Sequence, residues 1–130
     1  MAELSDIDPR PALWVGHVVL GVPDPEESKR FFMELGLRDA EPGSAPVGIL
    51  ELRGGTHLLL LPTSEPVAAE AQSPFDLMVE DLERFREQIL ALGYQPAEIQ
   101  SSEFHRFFTI QEPGGHRVII NSCHTTGLPV

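Results

Sequence analysis

The chain has a single cysteine, Cys123, so no disulfide can close within it. Its core must hold it together unaided, and one unpaired thiol suits a reducing compartment, so a cytoplasmic location is expected. Cations are also scarce. Nine Lys and Arg stand against 20 Asp and Glu, for a formal net charge of -11. A field of that sign repels phosphate backbones, so nucleic acid is not an expected partner. Long apolar runs are missing. Stretches such as Leu58 to Pro62 fall far short of the roughly 20 residues a membrane helix needs, so no membrane partner is expected. Met1 to Ala12 carries Glu3, Asp6 and Asp8 and no apolar stretch, which is unlike a secretory leader.

What the chain does contain is a copy of itself. The apolar run His17-Val18-Val19-Leu20-Gly21-Val22 stops at Pro23-Asp24, and a helical pattern then closes on Leu35-Gly36-Leu37. At an offset of 57 the design recurs: Leu20 meets Leu77, Val22 meets Val79, Asp24 meets Asp81, Leu35 meets Leu92 and Gly36 meets Gly93. Gly54-Gly55 recurs as Gly114-Gly115 at an offset of 60, each opening a last apolar strand. Internal repeats outrank local propensity as evidence of architecture.

Each copy predicts strand, helix and three strands. Asp24 is a helix N-cap with Pro25 at N1 and Glu27 at N3, and Asp81 caps the second helix. Ser28, Phe32 and Leu35 share one face of the first helix. Leu82, Phe85, Ile89 and Leu92 form the stripe of the second. The predicted strands are 13–22, 37–41, 45–52 and 56–61, then 75–79, 95–100, 104–111 and 116–122, with hairpin turns at Arg53-Gly54-Gly55 and at Glu112-Pro113-Gly114-Gly115. The fold class is α+β: two tandem βαβββ modules whose mixed sheets curl around a cleft. The organisation is an arm at 1–12, module one at 13–62, a Pro-, Ser- and Ala-rich linker at 63–73, module two at 74–122 and a tail at 123–130.

This pattern resembles the vicinal oxygen chelate superfamily, which includes glyoxalase I, extradiol dioxygenases and the fosfomycin- and bleomycin-resistance proteins. The likeness rests on Gly16 to Asp24, Phe31 to Leu37, Val79-Glu80-Asp81-Leu82 and Glu112 to Val118. The resemblance implies a homodimer, and in metal-using members a ligand in the first and last strand of each module. Those positions fall here on His17, Leu59, Pro74 and Ile119. Only His17 can bind a metal, so no cofactor is predicted. The alternative is a divalent ion (Zn, Fe, Ni or Mn) held by His17, His57 and His105, since neutral imidazole suits such metals.

Strand residues two apart share a face. Parity, with the resemblance, turns His17, Asp76, His105, Phe107, Thr109 and Asn121 towards the cleft as the candidate ligand-binding residues. Asp76 is the one carboxylate this reading places inside, where burial would raise its pKa and suit it to general-base work. Three functions follow. The first is a binding protein of the glyoxalase/bleomycin-resistance type for a small organic molecule, aromatic or cationic by the Phe107 platform and the acidic balance. The second is a metal-dependent lyase, epimerase or dioxygenase with rearranged histidine ligands around His17. The third is a metal-free enzyme with Asp76 or His105 as base.

Overall fold

A computed structural model describes residues 8–130; residues 1–7, most of the predicted arm, lie outside the described residues. Eight strands and two α-helices follow in the predicted order. Module one has β1 (His17–Val22), α1 (Pro25–Leu35), β2 (Arg38–Asp39), β3 (Gly48–Glu51) and β4 (His57–Pro62). Module two has β5 (Leu77–Val79), α2 (Leu82–Ala91), β6 (Gln100–Ser101), β7 (Arg106–Gln111) and β8 (Arg117–Ser122). Each module makes one mixed sheet, ordered β1-β4-β3-β2 and β5-β8-β7-β6. The first strand runs parallel to the last, and the other pairs are antiparallel.

The register carries the duplication. Leu20 pairs with Leu60 and Leu77 with Ile120; Leu50 pairs with Leu58 and Ile110 with Val118. The offsets of 57 and 60 are thus structural equivalences. The helices begin and end alike. Asp24 accepts the Glu27 backbone N–H at 3.4 Å, and Asp81 accepts that of Arg84 at 3.1 Å. At the other ends, Gly36 and Gly93 take positive φ of 120° and 97°. The next N–H groups, on Leu37 and Tyr94, reach back to the carbonyls of Phe32 and Ile89. This is the closure that favours glycine after a helix.

Several strands are shorter than predicted. Residues 13–16 lie before the start of β4, so beyond the Thr56 hydroxyl bond to the Val15 carbonyl and the His57 N–H bond to Gly16 they meet no ladder. Residues 45–47 turn instead, with the Val47 N–H on the Ser44 carbonyl. In module two the strand predicted at 95–100 shrinks to Gln100–Ser101. Pro96 has no N–H to donate, the Ala97 N–H alone reaches the neighbouring strand, at Thr109, and the Pro96 and Ala97 carbonyls accept from Arg86 instead.

One core joins both modules. Leu20, Val22, Leu50, Leu58 and Leu60 of the first sheet and Phe108, Ile110, Val118 and Ile120 of the second are buried in one cluster with Phe31, Phe32, Leu35, Leu82 and Ile89 of the helices. The alternate strand residues face away from the helices, on the open face of each sheet.

A polar clamp fixes one module on the other. Glu112, 1% exposed, accepts the Ser28 hydroxyl of α1 at 2.8 Å, the Gly114 N–H at 2.8 Å and the His116 N–H at 3.1 Å. The His116 Nδ1 lies 2.9 Å from its other side. A Cβ at Gly114 would stand 2.6 Å from Glu112 Oε1, so only glycine admits the carboxylate there. A second contact adds to it: the Tyr94 ring packs edge-on to Phe31 at 5.3 Å and its hydroxyl donates to Glu34 at 2.8 Å. Burial, then the Glu34 carboxylate, pushes the Tyr94 phenol up to about 12.

Glu112→Ala strands these donors, and each buried group left without a partner costs about 1–3 kcal/mol. Urea unfolding should therefore show a loss of at least that size. Ser28→Ala removes one partner and should cost about 1 kcal/mol. A Glu112→Ala variant as stable as the parent contradicts the clamp.

Candidate functional site

On the open face of the first sheet a polar row crosses all four strands. Arg38 of β2 lies opposite Glu51 of β3, Glu51 opposite His57 of β4, and His57 opposite His17 of β1. The Arg38 guanidinium is ion-paired with Glu51, His57 Nε2 stands 3.3 Å from the other Glu51 oxygen, and the His17 and His57 rings meet edge to face at 5.9 Å. Arg38 first, and His57 after it, hold the Glu51 carboxyl below the usual carboxylate range. The rest of the face is hydrocarbon: Val19 is 45% exposed, and Leu61 and Leu59 are only partly covered.

Glu51 corrects the reading that Asp76 is the one carboxylate facing in. The signal was in the turn: a hairpin closing on Arg53-Gly54-Gly55 sets Glu51 against His57 by register alone.

On the second sheet Asn121 of β8 is the centre. It lies between Phe107 of β7 and Met78 of β5, and its Nδ2 donates to Asp76 Oδ2 at 2.8 Å. Asn121 is 3% exposed, and its Oδ1 is buried without a partner. Thr109, partly covered, lies on the same face opposite Ile119. His105 sits one residue before β7 rather than within it, with its ring 6.3 Å from Phe107 and stacked at 5.4 Å on His124 of the tail. Its Nδ1 is buried and unpartnered too.

The structure therefore gathers Asp76, His105, Phe107, Thr109 and Asn121 on one sheet and leaves His17 and His57 on the other. His17, His57 and His105 do not converge within one chain; among the described residues no three His, Cys, Asp or Glu side chains form a group that could hold a metal ion. No described helix is long and apolar enough to cross a membrane. Between the modules runs a half-open groove of about 630 Å³. Asp76, Met78, Val79, Phe85, and Cys123 and Thr125 of the tail are among the residues that line it. The Arg53–Glu80 ion pair, at 3.0 Å, spans the same two modules.

Two tandem βαβββ modules with histidine, amide and carboxylate side chains on uncovered sheet faces define a glyoxalase-like fold. The chain matches the model of the Glyoxalase/Bleomycin resistance protein/Dioxygenase superfamily over residues 14–120, and it belongs to that family. Among solved structures it is similar to a lactoylglutathione lyase from Agrobacterium tumefaciens, at 17% identity and a TM-score of 0.71, covering 92% of this chain and all of that one. It is similar to the oxidase ChaP-H1 at 21% identity and a TM-score of 0.68, covering 89% of this chain and all of the other. A family member from Alicyclobacillus acidocaldarius matches at 13% identity and a TM-score of 0.70, over 89% and 96% of the two chains. At these identities the likeness is one of fold. No curated protein matches the sequence.

The Glu51 carboxyl gives the first site prediction. Its folded-state pKa is lowered, so its ion pair favours the fold above the ordinary glutamate pKa and loses that effect as pH falls through the lowered one. In carbon-detected NMR titrations Arg38→Gln should raise the Glu51 midpoint towards about 4.3, the ordinary glutamate value. An unchanged midpoint contradicts the row.

Proposed function

We propose that the protein binds a small organic molecule on its open sheet faces, as a homodimer in which the first sheet of one chain closes over the second sheet of the other, and without the metal that many relatives hold. The observation that carries this reading is Asn121: a buried amide with an unpartnered oxygen, opposite the ring of Phe107 on a sheet face whose neighbouring Met78 is exposed. Buried polar groups find partners, and a mainly apolar surface with a few convergent polar anchors is the usual form of a ligand site. Val19, Met78 and Leu61, 45%, 48% and 36% exposed, give the two open faces an apolar character that a second copy would cover. The lone, exposed Cys123 suits a reducing cytoplasm.

The donor set does not fit the family's metal. Leu59 lies beside Val19 and Ile119 opposite Thr109, so hydrocarbon occupies positions where ligands would be needed, and Pro74 offers none. His17 retains only His57 and, through it, Glu51. That adjacency favours a second reading, a metal-dependent lyase, epimerase or dioxygenase around His17, which would need a further ligand from a partner subunit.

Elemental analysis of gently purified protein separates the two. The binding reading expects well under one equivalent of Zn, Fe, Ni or Mn; a stoichiometric ion lost in His17→Ala supports the enzyme. Light scattering should give twice the 14.3 kDa chain mass, and a monomer at micromolar concentration would remove the dimer. For any molecule found by thermal-shift screening, Phe107→Ala should weaken binding by about 1–3 kcal/mol through lost stacking and burial. Parent-like binding would place the site elsewhere.

A further inference from the structure

We infer that the group recognised by Asp76 and Asn121 is a protonated amine or amidine, so that the ligand is an organic cation with an apolar or aromatic body. The inference rests on the open-face reading above and names the class of molecule it binds.

Four observations lead to it. First, the orientation of the Asn121 amide is fixed. An ionised carboxylate can only accept, so the NH2 must face Asp76, as it does at 2.8 Å, and Oδ1 must point away from it. Second, that oxygen is buried and has no partner, in a residue only 3% exposed. It is an acceptor waiting for a donor. Third, Asp76 has no cation of its own. It is exposed, and among the described residues no Lys, Arg or His forms an ion pair with it, so its charge is free to meet a ligand. Fourth, Phe107 is the cross-strand neighbour of Asn121 and offers an aromatic ring of the kind that attracts cations through its face.

Together these make an anionic, acceptor-rich corner beside an aromatic wall. A carboxylate or phosphate ligand would meet repulsion there. A neutral alcohol could satisfy Asn121 Oδ1 but would draw no charge attraction from Asp76. A metal ion would need a third ligand group, and the described residues supply none. An ammonium or amidinium has several N–H donors and the charge, and can bridge the amide oxygen and the carboxylate at once.

The test uses the intact protein and three probes of one shape: benzylammonium, benzyl alcohol and benzoate. Each is titrated while the side-chain amide of Asn121 and the ring of Phe107 are followed by NMR. Benzylammonium should shift both and saturate about tenfold tighter than benzyl alcohol, the difference expected when a hydrogen bond gains a charge. Benzoate should shift neither. Asp76→Asn, which keeps the shape of the side chain, should abolish the preference while leaving benzyl alcohol as before. A preference that survives Asp76→Asn and fades with salt would come from the net charge of the whole protein and would overturn the proposal. Equal binding of the alcohol and the ammonium at Phe107 and Asn121 would overturn the cation class and leave the open-face site standing. No shift at either residue with any probe, in a sample whose other resonances show it folded, would overturn both.

Discussion

The Glu112 carboxylate is the contact on which the rest of this structure depends. A charge that is 1% exposed is tolerable only if its lone pairs are taken up, and here Ser28, Gly114 and His116 do so. Ser28 belongs to the first module, and Glu112, Gly114 and His116 to the hairpin of the second. The clamp therefore fixes how the two modules meet. The buried hydrophobic cluster supplies most of the attraction, but apolar packing is non-directional. The carboxylate adds the orientation, and with it the direction in which each open face points.

The two modules share a backbone plan and differ in what they place on it. In the first, a row of Arg38, Glu51, His57 and His17 crosses the sheet in register. In the second, the corresponding positions of β7 and β8 are Gln111 and Arg117, which lie opposite each other, and the polar groups have moved along the strands to Asp76, Asn121 and His105. One face thus carries two imidazoles beside an Arg–Glu ion pair. The other is rich in acceptors. If the faces of two chains meet, a molecule between them has different chemistry on either side and can be held in one orientation.

Much of this could be read in the sequence because duplication is a long-range signal. Two copies agreeing at offsets of 57 and 60 gave the element order, both helix caps, both glycine closures and the strand parity that sets Asn121 opposite Phe107. Strand ends were less legible. Residues 13–16 have strand-like composition and no neighbour to pair with, a fact of tertiary structure. Parity along β1, β4, β5, β7 and β8 does not reach the paired carboxylate Glu51, which lies across the hairpin on β3. Glu112 read as a turn residue; nothing local marks a glutamate that reaches a serine 84 positions earlier. His105 fits the strand pattern of 104–111 yet only adjoins β7, which starts at Arg106.

The most direct measurement of the central claim is a crystal structure of the protein in its solution oligomeric state, at a resolution that orders side-chain amides and bound molecules. The account predicts that the open face of the first sheet in one chain lies against that of the second sheet in its partner, with Asn121 Oδ1 accepting from a bound molecule in the space between. A dimer formed through the helices, with both open faces in solvent and Asn121 Oδ1 still without a donor, would contradict it.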